Sequence, residues 1–296
     1  MDLNNYLKHR QQRIDAALDH HLPAEDTLPE RLHQAVRYSV FAGGKRLRPI
    51  LMLAACEAVG GDTERVLPAA CAMEMIHTYS LIHDDLPAMD DDDFRRGRPT
   101  CHKVYGDALA ILAGDALLTE AFILLSGMAA DSQQSEDACR QAMHIVARCA
   151  GSRGMVGGQV VDMESEGKEI DLPTLEYIHT HKTGALILAS VQVGALLGGV
   201  NETAYDSLTR YAEAAGLAFQ VADDILDIVG DQDLLGKDVG SDEARGKATY
   251  PALLGLSGAR QRARELRDLA LESLTEFGET AEPLRQIAHY IIDRSF

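Results

Sequence analysis

Apolar residues recur at helical spacing along almost the whole chain, and the two-residue alternation of a half-buried strand is nearly missing. That period restricts the fold to packed helices. It predicts helices over 29–42, 49–59, 66–86, 135–159, 172–199, 203–229, 251–277 and 282–293, with 101–128 as two helical pieces. Glycine pairs at Gly43-Gly44 and Gly60-Gly61 stop the first two, and Pro87 stops the third. Ala and Leu dominate, aromatic residues are 5% and Trp is absent, a balance that favours helix over sheet. The connections are short and polar, and no linker divides the chain. The expected architecture is therefore all-α, one large helical bundle formed by a single domain over residues 1–296. The longest aperiodic stretch, GDQDLLGKDVGSDEARGKATYP from Gly230, has the length of a functional loop.

The charge balance narrows the partners. With 28 Lys+Arg against 46 Asp+Glu the net charge is −18, which repels nucleic acid and anionic membrane and favours a multivalent cation. Five cysteines without a CxxC pair read as small buried residues of a reducing compartment. The N-terminal MDLNNYLKHRQQR has no apolar signal region. Apolar runs such as 185–200 are interrupted by Ser, Gln and Gly, so no membrane span is expected. These features lead to the expectation of a cytoplasmic protein.

Two acidic clusters end apolar helices. In HDDLPAMDDDDFRRGRPT, six aspartates occupy the ten positions from Asp84 to Asp93. In DDILD, Asp223 and Asp227 are four residues apart and share a helix face with Asp224 beside them, and Gln220 lies one turn earlier. Asp90 follows Asp84 by six residues; Pro87 breaks the helix between them, so Asp90 can return on the loop. Two carboxylates ~4 Å apart repel by about 1 kcal/mol in water and about 4 kcal/mol at an effective dielectric of 20. Oxygen ligands without thiolates suit a hard cation, Mg²⁺, which keeps waters and shares its shell with phosphate; Mn²⁺ is the alternative ion. Asp91, Asp92 and Asp93 read equally well as a solvated acidic loop.

Cations that suit a diphosphate lie nearby in sequence. Arg95 and Arg96 follow the first acidic cluster. GGKRLRP supplies Lys45, Arg46 and Arg48 after a glycine turn with free N–H groups. Lys182 and Thr183 of HKTG sit inside an apolar helix, where a lysine needs a partner. His77 lies seven residues before Asp84, nearly on its face, as a buried histidine or a phosphate donor. Lys237 and Lys247 lie on the long aperiodic stretch, as solvated lysines or as ligands.

GGKRLRP, IHTYSLIHDDLPAMDDDDFRRGRPT, HKTG, FQVADDILD and GKDVGSDEARGKATYP, in this order, resemble the trans-polyprenyl diphosphate synthases, and within them the bacterial farnesyl diphosphate synthases. The resemblance runs from about Leu28 to the end of the chain. It implies a helical bundle around a deep central cavity, assembled as a homodimer. It implies Mg²⁺ held by Asp84, Asp85 and Asp90 and by Asp223, Asp224 and Asp227. Arg95, Lys182, Thr183, Gln220, Lys237 and Lys247 match positions around an allylic diphosphate. Lys45, Arg48, His77 and Arg96 match those around isopentenyl diphosphate. The implied catalytic set is Asp84, Asp85, Asp90, Arg95, Lys182, Asp223 and Asp224. The implied reaction is ionise, condense, eliminate, with the cations stabilising the departing diphosphate and apolar walls excluding water. The end of the chain, YIIDRSF, departs from the basic tail common in the family, with Arg294 alone.

Product length turns on Tyr79 and Ser80. Tyr79 precedes Asp84 by five residues, about 7.5 Å along a helix, where a ring could form the floor of the cavity; Ser80 is small and more directly under Asp84. The expected product is C15 farnesyl diphosphate, with C20 geranylgeranyl diphosphate as the alternative. A class I terpene cyclase would typically replace the second DDxxD and not need Lys45 and Arg48. An HD-type phosphohydrolase would leave the second aspartate cluster unexplained. A non-catalytic regulatory subunit would usually lose the clusters that this chain keeps.

Overall fold

The computed structural model describes residues 1–128, 135–229 and 248–293. They form helices α1 Leu3–His21, α2 Glu30–Val40, α3 Leu47–Ala58, α4 Thr63–Asp84, α5 Cys101–Tyr105, α6 Asp107–Gly127, α7 Glu136–Ala150, α8 Met155–Ser165, α9 Leu172–Ile178, α10 Ala185–Leu197, α11 Glu202–Val229, α12 Tyr250–Glu272 and α13 Glu282–Asp293. A π-helical turn, His179–Gly184, joins α9 to α10 without interrupting the rod. The all-α bundle expected from periodicity is the fold found.

Three differences from the expected elements have local causes. Helix α1 was not anticipated, because its buried stripe is narrow, Ile14 and Leu18 among polar neighbours. The stretch 135–159 is two helices, α7 and α8, since the chain turns at Gly151 and Gly154. After the first acidic cluster the chain makes a two-residue hairpin, Phe94–Arg95 (β1) against Arg98–Pro99 (β2), with Arg95 opposite Arg98. Its turn residues Arg96 and Gly97 both have positive φ, 55° and 73°, which matches the twist of so tight a hairpin.

The centre of the bundle is α3 and α10, helices with almost no solvent face. Residues Ile50 to Cys56 of α3 are all fully buried, as are Ala189, Val191, Val193 and Ala195 of α10. Helix α4 packs against α3 on one side and α6 on another, and α11 packs against α10 and α12. The C-terminal ends of α4 and α11 carry the two acidic clusters.

Helix α6 corrects the reading of membrane propensity. It is long and apolar enough to cross a membrane by length and composition, with a mean hydropathy of 2.0 over its window, of which 33% is buried. The two helical pieces expected over 101–128 are α5 and α6, divided at Gly106. In the bundle α6 lays Ala110, Ala113, Leu117, Ala121 and Leu125 inward and packs on α4, α2, α5 and α7.

Arg46 fixes the turn that leads into α3. Its backbone is left-handed (φ 51°) and its side chain is buried. It donates through Nη1 to Glu74 Oε1 at 2.7 Å, through Nε to Asp15 Oδ1 at 2.8 Å and through Nη2 to the Val40 carbonyl at 2.7 Å. Helices α1, α2, α3 and α4 thus meet on one guanidinium. Arg46→Ala, which strands the buried Glu74 carboxylate, is expected to cost about 3–5 kcal/mol in urea unfolding, against about 0.5 kcal/mol or less for exposed Lys45→Ala.

Candidate active site

The first acidic cluster forms where α4 runs out. Asp84 is its last residue and Asp85 caps it. Pro87 sends the chain into a loop that returns at once: the Asp90 N–H donates to the Asp84 carbonyl at 2.8 Å, and the Asp91 N–H to the Leu86 carbonyl at 3.1 Å. Asp90 is thereby brought back beside Asp84, as the proline break predicts. Asp91 takes a positive φ of 50° to close this loop. Burial raises the Asp84 carboxyl to about 6; Lys182 and Arg95 pull it down, while Asp90 and Asp85 push it up further.

Asp85, Asp92 and Asp93 of this cluster are paired within the protein. Asp85 is buried and accepts from Arg95 Nε at 2.7 Å (Oδ1) and 2.9 Å (Oδ2), with Arg95 Nη2 also on Oδ1. Burial raises the Asp85 carboxyl, against the pull of Arg95. Asp92 pairs with Arg95 Nη2 at 3.4 Å and Asp93 with Lys103 at 2.6 Å. Thr100 ties the loop down by donating to the Asp92 carbonyl at 2.8 Å. Asp85 thus anchors the hairpin through Arg95. Arg95 is correspondingly turned to Asp85.

Lys182 joins the first cluster to the middle of the chain. The π-helical turn sets it facing α8, where it donates to Asp162 Oδ2 at 2.7 Å. Burial works against its charge, yet Asp162, Asp84 and Asp90 together raise its pKa. Gly158 of α8 is what permits this approach, since a Cβ there would lie 2.1 Å from the Lys182 backbone nitrogen. Gln159, next along α8, has both amide atoms buried with no partner among the described residues. Thr183 is half-buried on the same turn. Asp162 and Gln159 were not anticipated. The glycine pair in GGQVVD, with a carboxylate one turn on, is the signal that would have found them.

The second cluster divides in the same way. Asp223 and Asp227 are half-buried near the end of α11, and Gln220 one turn earlier is half-buried. The charge of Asp223 reaches Arg48. Asp224 is buried and points elsewhere: its Oδ2 is 3.0 Å from His179 Nε2 and accepts from the Tyr250 N–H at 2.9 Å. His179 stacks on Tyr250, whose hydroxyl donates to Glu176 at 2.9 Å. Asp224 ties α11 to the π-helical turn and to the start of α12. Lys237 and Lys247 lie outside the described residues.

The remaining cations gather at the start of α3. Arg48 Nη1 is 3.3 Å from His77 Nε2. A guanidinium can only donate, so Nε2 accepts and the ring proton sits on Nδ1. Burial, reinforced by Arg48 and Arg96, lowers His77 well below its ordinary value, so it is neutral at neutral pH. Burial lowers Arg48 to about 10, and its Nε has no partner among the described residues. Arg96 is exposed, donates to the Gly43 carbonyl and lies flat against Gly44, where a Cβ would come within 2.5 Å of the guanidinium carbon. Lys45 is exposed, 5.8 Å from the Tyr290 ring. Sequence brought Lys45, Arg46 and Arg48 together as one basic group; the fold turns Arg46 inward and leaves Lys45, Arg48, His77 and Arg96.

Residues 29–287 match the polyprenyl synthetase family model. The chain belongs to the polyprenyl synthetase family, and by that membership is a prenyltransferase. It is 49% identical to farnesyl diphosphate synthase of Geobacillus stearothermophilus, over 88% of each chain. It is 46% identical to geranylgeranyl diphosphate synthase of Cyanophora paradoxa, over 99% of this chain and 97% of that one. The crystal structure of a FPP/GFPP synthase from Zymomonas mobilis superposes with a TM-score of 0.87 at 41% identity, covering 98% of this chain and 99% of that one.

The family's metal can be tested against the geometry. No cluster of three or more candidate ligands for one ion occurs among the described residues. Asp84 and Asp90 on one helix end, and Asp223 and Asp227 on the other, are carboxylate sites of low ligand number. That fits Mg²⁺, which uses one or two carboxylates and completes its shell with water and phosphate. The raised Asp84 carboxyl is the mark of charge awaiting compensation.

Between about pH 4 and 6 the native state holds a proton on Asp84 that the unfolded chain releases, so its contribution to stability falls as pH rises through that window. Asp84→Asn is expected to stabilise the metal-free protein near pH 7.5 by on the order of 1 kcal/mol, discounted for the solvent the carboxylate meets. The gain should shrink near pH 5, where wild-type Asp84 is itself mostly neutral. If Mg²⁺ with inorganic diphosphate raises the Tm of the wild type, the variant should show less of that rise. Thermal denaturation at the two pH values, with and without these ligands, checks all three.

Proposed function

We propose that the protein condenses isopentenyl diphosphate with dimethylallyl and then geranyl diphosphate, giving C15 farnesyl diphosphate and releasing diphosphate. The observation that carries the length is Tyr79: it is buried at 7% exposure, one helical turn and a residue below Asp84 on α4, where its ring would stop a growing chain. Ser80 supports this only weakly, since its hydroxyl donates to the His77 carbonyl of its own helix at 2.8 Å. A partly open cavity of about 410 Å³ further down α4, beside Met75 and Leu124, supports a second reading, a C20 product.

In this reading Asp84 and Asp90, facing Asp223 and Asp227, hold Mg²⁺. Bound there, Mg²⁺ supplies positive charge to the diphosphate as it leaves. Lys182 and Thr183, with Gln220 across from them and Arg95 at the hairpin, orient the allylic diphosphate. The allylic carbon–oxygen bond breaks with its electron pair going to diphosphate, and Lys182 stabilises that charge in a site shielded from water. Arg48, Lys45, Arg96 and neutral His77 hold isopentenyl diphosphate. The Nε–H of Arg48, without a partner among the described residues, is a donor that could serve it, and the Nδ1–H of neutral His77 is a second. The double bond of isopentenyl diphosphate attacks the allylic carbon, and the proton then lost passes to the released diphosphate. No side-chain nucleophile takes part.

The protein is further proposed to act as a homodimer in the cytoplasm. Its five cysteines are all buried free thiols, which supports a reducing compartment. The outer face of α6 supports the dimer: Leu112 and Ile123 are 55% and 56% exposed, with Ile111 and Val104 of α5 also exposed.

Two measurements test these readings. Incubation with labelled isopentenyl diphosphate and a dimethylallyl, geranyl or farnesyl primer should give Mg²⁺-dependent C15 product, with little use of farnesyl diphosphate. No condensation with any primer would reject the reading, and C20 product from the wild type would reject the length. Leu112→Asp with Ile123→Asp should convert a dimer to a monomer in analytical ultracentrifugation; a monomeric wild type would overturn the assembly.

A further inference from the structure

Met75, Tyr79 and His83 are spaced four residues apart on α4 and form one stripe along the helix. The stripe faces α6. At its upper end His83 Nε2 is 3.0 Å from the Ile111 carbonyl. A carbonyl only accepts, so Nε2 carries the proton and the tautomer is set by this contact. One turn on, Gly114 leaves the space that the imidazole fills: a Cβ there would lie 2.1 Å from Nε2 and 2.5 Å from Cδ2. The imidazole is thus held between a backbone acceptor and a position without a side chain.

From there it meets the next ring down. Its centroid is 5.7 Å from that of Tyr79 at an interplanar angle of 80°, an edge-to-face contact. Burial, with the charge of Asp84, raises the Tyr79 hydroxyl, so the ring remains neutral. The imidazole is the ring against which the phenol packs, and it is itself held to α6. Below Tyr79, at the lower end of the stripe, lies a partly open cavity of about 410 Å³ walled by Met75 of α4, Leu124 of α6 and Met128 just after it, with the charged Glu64, Arg65 and Glu120 also on its lining. Its apolar wall suits a hydrocarbon tail.

We propose that His83, held by the Ile111 carbonyl and Gly114, is a positioning residue for product length: it keeps the Tyr79 ring in place as a floor between the diphosphate site and the apolar cavity beneath. His83 takes no part in the chemistry proposed above. The inference rests on the reading of Tyr79 as the floor. It adds that the floor has two parts, one ring that blocks and another that holds it.

Release of the latch should let the chain end pass Tyr79 into the cavity and lengthen the product. The variants are Tyr79→Ala, His83→Ala, Gly114→Ala and the double variant His83→Ala/Gly114→Ala, assayed with labelled isopentenyl diphosphate and geranyl primer. The readout is the C20:C15 ratio, which a merely structural loss of activity does not move. His83→Ala and Gly114→Ala should each raise it by roughly two- to tenfold, the range that one lost aromatic edge contact spans. In the double variant Gly114→Ala should add nothing, because the imidazole it displaces is already gone. An unchanged ratio in His83→Ala, beside a raised ratio in Tyr79→Ala, overturns the latch and leaves the floor standing. An unchanged ratio in Tyr79→Ala removes the floor and the latch with it. Should Gly114→Ala fail to fold, the His83→Ala and Tyr79→Ala arms decide alone.

Discussion

Carboxylates at the ends of apolar helices have to be answered by positive charge or by protons, and the distribution of cations in this protein follows from that need. Asp85 is answered by Arg95, Asp93 by Lys103 and Glu74 by Arg46. Lys182 is shared between Asp162, which it touches, and Asp84 and Asp90, whose charge it feels. Burial raises the Asp84 carboxyl, and the pull of Lys182 and Arg95 does not cancel it. A bound cation at that helix end would offset the cost, in keeping with the function proposed above. The same accounting holds for the basic side, where Arg48 keeps a buried N–H with no partner among the described residues.

Each motif turns out to contain both a working group and its scaffold. In GGKRLRP, Arg46 binds four helices together while Lys45 and Arg48 are not drawn into that contact. In the DDILD motif, Asp224 ties down α12 and the π-helical turn while Asp223 and Asp227 remain at the helix end. In the first cluster, Asp85 anchors the hairpin that carries Arg95 and Arg96. Adjacent identical residues on a helix point about 100° apart, so one of a pair facing the site obliges the other to face the protein.

That division explains what could be read in advance. Helical period and glycine and proline stops were enough for the bundle, and the α13 boundaries were found as expected. The return of Asp90 to Asp84 followed from Pro87. The roles of Asp85, Asp224 and Arg46 did not follow, because the partners that occupy them lie 10 to 45 residues away in sequence. Helix α1 was hidden by a stripe of few apolar residues, and the hairpin by strands of two residues each, too short to show alternation. Gln159 and Asp162 were passed over because they stand singly on their helix.

The π-helical turn gives one continuous rod two registers. On its α9 side His179 is aimed at Asp224; on its α10 side Leu186, Ile187 and Val191 are aimed at the core; Lys182 stands between, turned to α8. Removing a single residue from His179–Gly184 would restore a regular helix of nearly the same length, with every side chain before the cut rotated by about 100° relative to those after it. The core could keep its packing while His179 and Lys182 lost theirs. Chain length in this turn is therefore as much a determinant of the site as the identity of the residues in it, and an insertion or deletion there is read by the site before it is read by the fold.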